Sequence, residues 1–217
     1  MLAELFFPPL PLISHIPPDQ TYPTPLQGPH FFSRLRIHQV ISVLSHYKAP
    51  GPDKIPNMVL MKCVKVLINH LFFIFRGVFK LKVYHPKWHE LTTIVLHKIG
   101  KTSYDVVKSY HPIRLMNTIA KVLSTLCSKH ISYLAEKHNV LPSSQFGSCS
   151  GHNTTDAMLL LVHKIKDTWR QGKVAAALFL DIQGTFPNTV KNQLIHNMCM
   201  HRVPKCFMDV AKLLLSN

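Results

Sequence analysis

A single aspartate at the end of an apolar run is the residue in this sequence whose setting is most typical of chemistry. The segment AAALFLDIQGTFPN, residues 175–188, carries small and apolar side chains up to Asp181 and then breaks at Gly184 and Pro187. Such a run is typical of a core strand that presents a side chain at its C-terminal edge, where open α/β sheets place their reactive groups. The pattern therefore predicts a strand over residues 174–181 and a functional carboxylate at Asp181.

Three roles are open to Asp181. A phosphotransferase of the haloacid dehalogenase type uses the first Asp of such a strand as the nucleophile and an acid two residues later as the acid/base, but that second position holds Gln183. A polymerase palm uses the Asp as a metal ligand, and two-metal phosphoryl transfer requires several further oxygen ligands around it. A structural Asp that caps the turn at Gly184 is compatible with any fold.

The charge of the chain predicts a polyanionic partner. The 217 residues contain 25 Lys and Arg against 10 Asp and Glu, which gives a formal net charge of +15, and the hydrophobic content of 47% is sufficient for one sizeable core. So large an excess of one sign repels itself unless a partner neutralises it. We expect nucleic acid and no membrane, because the basic residues are not gathered on one amphipathic helix.

Cysteine usage and the N-terminal sequence indicate an intracellular chain, in the nucleus or the cytoplasm. The five cysteines are odd in number and contain no Cys-x-x-Cys pair. Residues 1–7 lack a basic segment and run into Pro8 and Pro9, so they do not form a signal peptide. Polar residues interrupt the apolar run Val64–Phe79, which predicts a core helix rather than a membrane span.

A zinc site near the end of the sequence is a minor alternative. Its spacing matches no common zinc motif. The candidate ligands are His196, Cys199, His201 and Cys206.

Proline distribution and hydrophobic periodicity divide the chain into an arm and a helix-rich body. Half of the 16 prolines fall before residue 30, which predicts an extended arm over residues 1–33 that does not pack as an element. Helices are predicted over residues 34–46, 57–83, 118–137, 154–169 and 191–201, with another opened by Pro204. A strand is predicted over residues 91–96, followed by a basic turn over 97–101.

Two of these helices have a predicted core face, and Gly172 is predicted to end the second of them. The residues predicted to face inward are Val64, Leu67, Leu71, Ile74 and Val78 in the helix over 57–83, and Ala157, Leu160, Leu161, Val162 and Ile165 in the helix over 154–169.

Five motifs occur in the order and approximate spacing of the reverse transcriptases of non-LTR (LINE-like) retrotransposons, which the chain resembles from about residue 8 to residue 217. They are Lys48-Ala49-Pro50-Gly51-Pro52-Asp53, Ser109-Tyr110-His111-Pro112-Ile113, Leu141-Pro142-x-x-Gln145-Phe146-Gly147, Thr154-Thr155-Asp156-Ala157 and Phe179-Leu180-Asp181-Ile182-x-Gly184-x-Phe186. The Asp-Ile-x-Gly-x-Phe-Pro-Asn form and the Pro-rich arm are similar to the fungal branch of that family.

The resemblance implies an α+β, helix-rich right-hand polymerase fold. Residues 34–217 would form the fingers and a partial palm, following the extended arm over residues 1–33 and truncated before the second catalytic motif. The implied partners are an RNA template, a DNA primer and deoxynucleotide triphosphates. The implied reaction is RNA-directed DNA synthesis with Mg²⁺.

The resemblance also assigns roles to individual residues. Asp181 is the implied catalytic residue and, with the backbone carbonyl of Ile182, the implied metal site. Lys98, His111, Ile182 and Phe186 would bind the nucleotide, with Lys98 on the triphosphate and Phe186 excluding a ribose 2′-hydroxyl. Lys101, Lys108 and His152 would contact nucleic acid.

The sequence departs from the family pattern at several of these positions. His111 stands where the family has Arg, and a neutral imidazole does not form a bidentate contact with phosphate. Two arginines expected around residues 149–152 are missing, and Lys54 stands where the first motif usually has Gly. Because the sequence contains no Asp-Asp pair, we expect the chain to be inactive on its own. A non-enzymatic, basic nucleic-acid-binding remnant is the main alternative.

Overall fold

The fold is α+β and helix-rich, as predicted. The structure, a computed structural model, describes residues 16–27, 32–182 and 188–215. In order along these residues lie α1 (Arg34–Ser42), α2 (Asn57–Leu81), β1 (Leu91–His97), β2 (Tyr110–Met116), α3 (Thr118–Lys137), α4 (Thr154–Arg170), α5 (Lys191–Met200) and α6 (Lys205–Leu215), with short 3₁₀ turns at Pro86–Trp88 and Val107–Ser109. The strands β1 and β2 form one antiparallel sheet.

The chain divides into two compact units. The first contains Met1–His130 and Phe186–Asn217, and the second contains Ile131–Thr185. The helix α3 begins in the first unit and ends in the second.

The core of the first unit lies between α1, α2, α3 and α6. The helix α2 contacts α1 and α6, and α5 contacts α6. The largest fully buried side chains are Phe75, Ile37, Ile41, Leu123, Val122 and Thr118. Each fully buried aliphatic or aromatic side chain of this size stabilises the fold by roughly 1.5 to 3 kcal/mol relative to an exposed one.

His130 joins three of these helices. Its Nδ1 lies 3.0 Å from Nη1 of Arg36 on α1, and its ring stacks on Phe207 of α6 with centroids 5.2 Å apart. Burial, and secondarily the charge of Arg36, lowers the pKa of His130 to about 4. The imidazole is therefore neutral near pH 7, which allows Nδ1 to accept a hydrogen bond from the guanidinium.

The predicted core face of α2 is wrong at one position. Ile74 is 46% exposed, whereas its neighbour Phe75 is fully buried together with Leu60, Leu71 and Val78. This helix is apolar on most of its circumference, so periodicity alone identifies its buried side poorly. Within the described residues it is also the one helix long and apolar enough to cross a membrane, a test that core helices pass as well.

Residues 16–27 form no helix or strand and turn at residues 18–19, and they do not form the unpacked arm that was expected. The backbone N–H of Leu26 donates to the carbonyl of Arg202 at 2.7 Å, and Nε of Arg202 donates to the carbonyl of Thr24 at 2.9 Å. Leu26 is buried. This stretch therefore packs against the turn between α5 and α6.

The helix α4 begins and ends as its sequence predicts. The side chain of Asn153 accepts the N–H of Asp156, whose carboxylate accepts the N–H of Asn153, a capping box. Gly172, at φ +69°, follows the last turn in the left-handed conformation that glycine adopts without strain. The predicted inward residue Val162 is 44% exposed, and α4 has no fully buried residue.

The strand predicted over residues 174–181 is absent. Residues 173–182 adopt no regular secondary structure, and Val174, Leu178, Phe179 and Leu180 are each at least 80% exposed. An apolar run becomes a strand only when a neighbouring strand accepts its backbone hydrogen bonds. No described residue supplies such a partner.

Candidate nucleic-acid interface

The hairpin of β1 and β2 carries the basic residues that were predicted to contact nucleotide and nucleic acid. Its register pairs Leu91 with Met116 at one end and His97 with Tyr110 at the other. Residues directly opposite each other share a face of the sheet, so His111 lies on the face of Leu96 and Tyr110 on the face of His97. All seven residues of β1 are exposed.

The loop between these strands, residues 98–109, is held by its own hydrogen bonds. The ammonium of Lys98 donates to the carbonyl of Lys108 at 3.0 Å, and the hydroxyl of Tyr104 donates to the carbonyl of Lys98 at 2.9 Å. The hydroxyl of the buried Ser109 donates to the carbonyl of Ser103 at 2.6 Å. The structure thus brings Lys98 and Lys108 together, while Lys101 projects from the same loop and is exposed.

Three rings pack together beside this loop. His97 stacks on Tyr104 with ring centroids 4.7 Å apart, and Tyr110 meets His97 edge-on at 4.9 Å. The hydroxyl of Tyr110 also donates to the carbonyl of Tyr104 at 2.9 Å. Sequence reasoning missed this cluster, because only the strand register brings His97 opposite Tyr110. Aromatic rings beside fixed cations suit a single-stranded nucleic acid, whose bases stack and whose phosphates need positive charge.

The charge of the hairpin is strongly positive. Residues 91–116 contain Lys98, Lys101, Lys108 and Arg114 and a single acid, Asp105, whose carboxylate accepts a hydrogen bond from the hydroxyl of Ser103. His111 is exposed in β2. As a histidine it does not supply the planar fork of donors that an arginine would give at this point of the strand.

A polar cluster formed by Asp53, Asn117 and Thr118 fixes the base of the hairpin. Oδ1 of Asn117 accepts the N–H of Asp53 at 2.9 Å, and Nδ2 of Asn117 donates to the carbonyl of Lys87 at 2.7 Å. The hydroxyl of Thr118 donates to the carbonyl of Ile55 at 2.6 Å. The cluster lies directly after Met116, so the Pro-rich first motif holds the end of β2 and the start of α3.

Two residues of the first motif have special backbone requirements. A Cβ atom on Gly51 would lie 2.6 Å from the backbone nitrogen of Asn117, so only glycine allows this approach. Lys54 has a φ of +55°, which confirms that a residue replacing glycine there adopts the left-handed conformation.

The predicted catalytic residues lie in the second unit, apart in sequence from the hairpin. Asp181 is exposed in the irregular segment after α4, next to the exposed Ile182. Phe186 lies outside the described residues. No group of three or more His, Cys, Asp or Glu side chains converges among the residues that the structure describes. One carboxylate does not match the near-octahedral oxygen shell of Mg²⁺, so this donor set does not fit the implied metal site.

His152 lies in the loop before α4, also in the second unit. Its exposed ring meets Phe146 edge-on, with centroids 5.1 Å apart. The backbone N–H of Ser150 donates to Oε1 of Glu136 at 3.1 Å, which attaches the loop to α3. His152 is thus accessible on a loop that hydrogen bonds hold in place.

The minor zinc alternative is not supported. Nδ1 of His196 lies 3.1 Å from the hydroxyl of Tyr22, and Sγ of Cys199 lies 3.2 Å from Sδ of Met208. Neither residue belongs to a metal-binding group within the described part of the chain.

Comparison with known proteins agrees with the motifs. No family model matches the chain. It is 24% identical over 187 residues, 85% of its length, to a probable RNA-directed DNA polymerase from transposon BS of Drosophila melanogaster. It is 30% identical over 155 residues, 71% of its length, to a probable RNA-directed DNA polymerase from transposon X-element of the same fly, and 25% identical over 178 residues, 82% of its length, to the polymerase from mobile element jockey.

The chain is homologous to part of the RNA-directed DNA polymerases of non-LTR retrotransposons. It spans between 17% and 20% of the length of these three polymerases. All three retrotransposon relatives are from an insect, so the narrower prediction of a fungal type is not supported. In sequence the chain therefore corresponds to a part of these retrotransposon polymerases.

Proposed function

We propose that this part of a retrotransposon reverse transcriptase binds the phosphates of nucleic acid and nucleotide, and that on its own it binds without polymerising. The observation that carries the proposal is the β1–β2 hairpin, whose loop presents Lys98, Lys101 and Lys108 beside the stacked rings of His97 and Tyr104. The hydrogen bond from the Lys98 ammonium to the carbonyl of Lys108 orders the loop before a ligand arrives, which reduces the entropy cost of binding.

Within this proposal the basic residues have distinct roles. Lys98 contacts the triphosphate of a nucleotide, and Lys101 and Lys108 contact the phosphates of a strand. His111 lies on the same hairpin but holds a phosphate less well than an arginine, since a neutral imidazole supplies one donor and no charge. His152, in the second unit, adds a contact to nucleic acid.

The polymerase chemistry belongs to the longer protein. There Mg²⁺ would stabilise the charge that develops on the transferring phosphoryl group, with Asp181 and the carbonyl of Ile182 among its ligands and Phe186 beside the nucleotide sugar. This chain has no Asp-Asp pair to complete the shell, and we derive no step of the reaction from Asp181. The phosphotransferase alternative is weaker still, because Gln183 occupies the position of its second acid.

The same proposal includes the domain assignment. Residues 34–217 correspond to fingers and a partial palm, and residues 1–33 precede them. The longer protein would act inside the cell on an RNA template, a DNA primer and deoxynucleotide triphosphates. Its nucleic-acid partners agree with the net charge of +15.

A salt titration of RNA binding tests the hairpin's role. Lys101→Gln/Lys108→Gln removes two exposed loop charges, and Lys62→Gln/Lys65→Gln removes two exposed charges on α2 as a matched control. Binding of a fluorescent single-stranded RNA should lose affinity in the hairpin variant, and the slope of log K against log salt should fall by about 1.4. Equal losses in both variants would show that net charge, and not the hairpin, governs binding.

A further inference from the structure

A cavity in the first unit is lined by none of the residues predicted to bind nucleotide or nucleic acid. Its volume is about 570 Å³, and it lies between residues 16–22 and the helices α5 and α6. Its polar lining consists of Tyr22, Lys191, Asn192, His196 and Lys212, and three aliphatic side chains complete the wall. Cavities of this volume hold ligands of the size of a nucleotide.

The electrostatics of this cavity favour an anion. Lys191 begins α5 and Lys212 lies in the last turn of α6, so two lysine residues line one space from different helices. No described residue of the lining is a carboxylate. Like charges that face a common cavity repel each other, and an anion bound between them relieves that repulsion.

One wall of the cavity is an ordered aromatic pair. The hydroxyl of Tyr22 lies 3.1 Å from Nδ1 of His196, and the two rings meet edge-on with centroids 5.6 Å apart. Tyr22 is 45% exposed, so part of its ring is open to a ligand. An aromatic ring next to a phosphate-binding group is the arrangement on which nucleic-acid bases stack.

We infer that this cavity binds one phosphate-bearing nucleotide unit. Lys191, Lys212 and the Asn192 amide hold the phosphate oxygens, and the ring of Tyr22 contacts the base. The inference goes beyond the proposed function of the hairpin, because no hairpin residue lines the cavity. The nucleotide unit is either free or part of a strand, and the two sources are distinguished by the probe.

The test uses the 217-residue chain and two probes, adenosine 5′-monophosphate and a single-stranded oligoadenylate of about ten nucleotides. Calorimetry compares the unchanged chain with Lys191→Gln/Lys212→Gln, with the matched α2 variant Lys62→Gln/Lys65→Gln, and with the hairpin variant Lys101→Gln/Lys108→Gln. The cavity variant should lose affinity about tenfold, as expected when charge-assisted contacts to phosphate are removed. The α2 variant should bind like the unchanged chain.

Each outcome decides the inference. If the cavity variant loses affinity for both probes, the cavity is a site for free nucleotides. If it loses affinity for the oligonucleotide alone, the cavity is a site for a strand. If the cavity variant binds both probes as the α2 variant does, the inference is overturned. If only the hairpin variant loses affinity, the cavity inference is overturned and the hairpin proposal stands. If only the cavity variant loses affinity, the hairpin proposal is rejected and the cavity inference stands.

A second measurement does not depend on variants. Backbone amide chemical shifts of the unchanged chain are recorded while adenosine monophosphate or the oligonucleotide is added. Saturable shifts at Lys191–His196 and Lys212–Leu215 are expected. Saturable binding elsewhere, without shifts in these two stretches, would contradict the cavity site even if Lys191→Gln/Lys212→Gln failed to fold.

Discussion

Oδ2 of Asp53 accepts the backbone N–H of Thr118 at 3.0 Å, across 65 residues of sequence. Thr118 is the first residue of α3 and is fully buried. A carboxylate at the N-terminus of a helix satisfies a free N–H and interacts favourably with the helix dipole. The first sequence motif is therefore the cap of a distant helix, at the point where the hairpin joins the core.

Replacing Asp53 by alanine should destabilise the first unit. The substitution removes the acceptor of Thr118 N–H, which is buried, and that of Ile55 N–H. A buried donor left without a partner costs about 1 to 3 kcal/mol. Urea denaturation of Asp53→Ala should show this loss, whereas Asp105→Ala, in the exposed hairpin loop, should change the free energy of unfolding little. Equal effects would mean that the Asp53 bonds are not stabilising.

Two glycine substitutions should change the free energy of unfolding in opposite directions. Gly51→Ala places a Cβ against the backbone of Met116 and Asn117, and strain of this kind costs about 1 to 3 kcal/mol. Gly77 lies inside α2 with nothing near its added Cβ, so Gly77→Ala should stabilise by up to about 1 kcal/mol. Thermal unfolding of both variants measures the difference. A stabilising Gly51→Ala would rule out the close approach.

His130 should make stability fall with acid. Because burial lowers its folded pKa to about 4, below the ordinary value of 6.5, the unfolded chain binds the proton more readily. The contribution of neutral His130 to the free energy of unfolding is complete above pH 6.5. It is lost as the pH falls towards 4, by roughly 2 kcal/mol. The loss should be smaller in His130→Gln, which does not titrate, and unchanged in His38→Gln, an exposed residue of α1. Denaturant titrations at several pH values measure this. If His130 were not responsible, the free energy of unfolding would fall equally with pH in the unchanged chain and in His130→Gln.

The 217-residue chain should not extend a DNA primer on an RNA template with Mg²⁺ or Mn²⁺. One carboxylate and its neighbouring carbonyl supply too few ligands for two-metal phosphoryl transfer. Extension by the unchanged chain that disappears in Asp181→Ala would disprove this expectation. Hydrolysis of a phosphomonoester that depends on Asp181 would instead favour the phosphotransferase alternative.

His111→Arg should strengthen binding of deoxynucleotide triphosphates. Arginine restores a permanent charge and a bidentate donor pair on the hairpin, and we expect a gain of about fivefold to tenfold in affinity. His46→Arg adds the same charge at an exposed position after α1 and is the matched control. Equal gains from both substitutions would assign the effect to net charge.

The helices followed from local sequence, and the features formed by distant residues did not. The predicted α3 matches Thr118–Lys137 at both ends, because hydrophobic periodicity is a property of neighbouring residues. The helix over 34–46 was predicted too long and ends at Ser42, and the carbonyl of Ser45 accepts a hydrogen bond from the side chain of Asn57 instead. Local preference does not reveal such a tertiary contact.

In the candidate site, too, local features were predicted and features that need distant residues were not. The basic turn after β1 was predicted from sequence, but the ring cluster of His97, Tyr104 and Tyr110 depends on strand register and was missed. The strand predicted over residues 174–181 was wrong because pairing needs a partner strand, which the apolar run itself does not specify. The roles assigned to Asp181, Ile182, Phe186 and His152 stay predictions.

The exposed apolar stretch after α4 makes the solubility of this chain depend on its net charge. Residues 174–180 contain no charge and their large apolar side chains are exposed, which favours association between copies of the chain. The net charge of +15 opposes that adhesion by repulsion between molecules. Molar salt shortens the reach of this repulsion to about 3 Å, and a bound polyanion cancels it outright. Binding of a nucleic acid therefore works against the solubility of the chain. Each strand that neutralises the positive charge also removes the repulsion that keeps the exposed apolar segments of different copies apart.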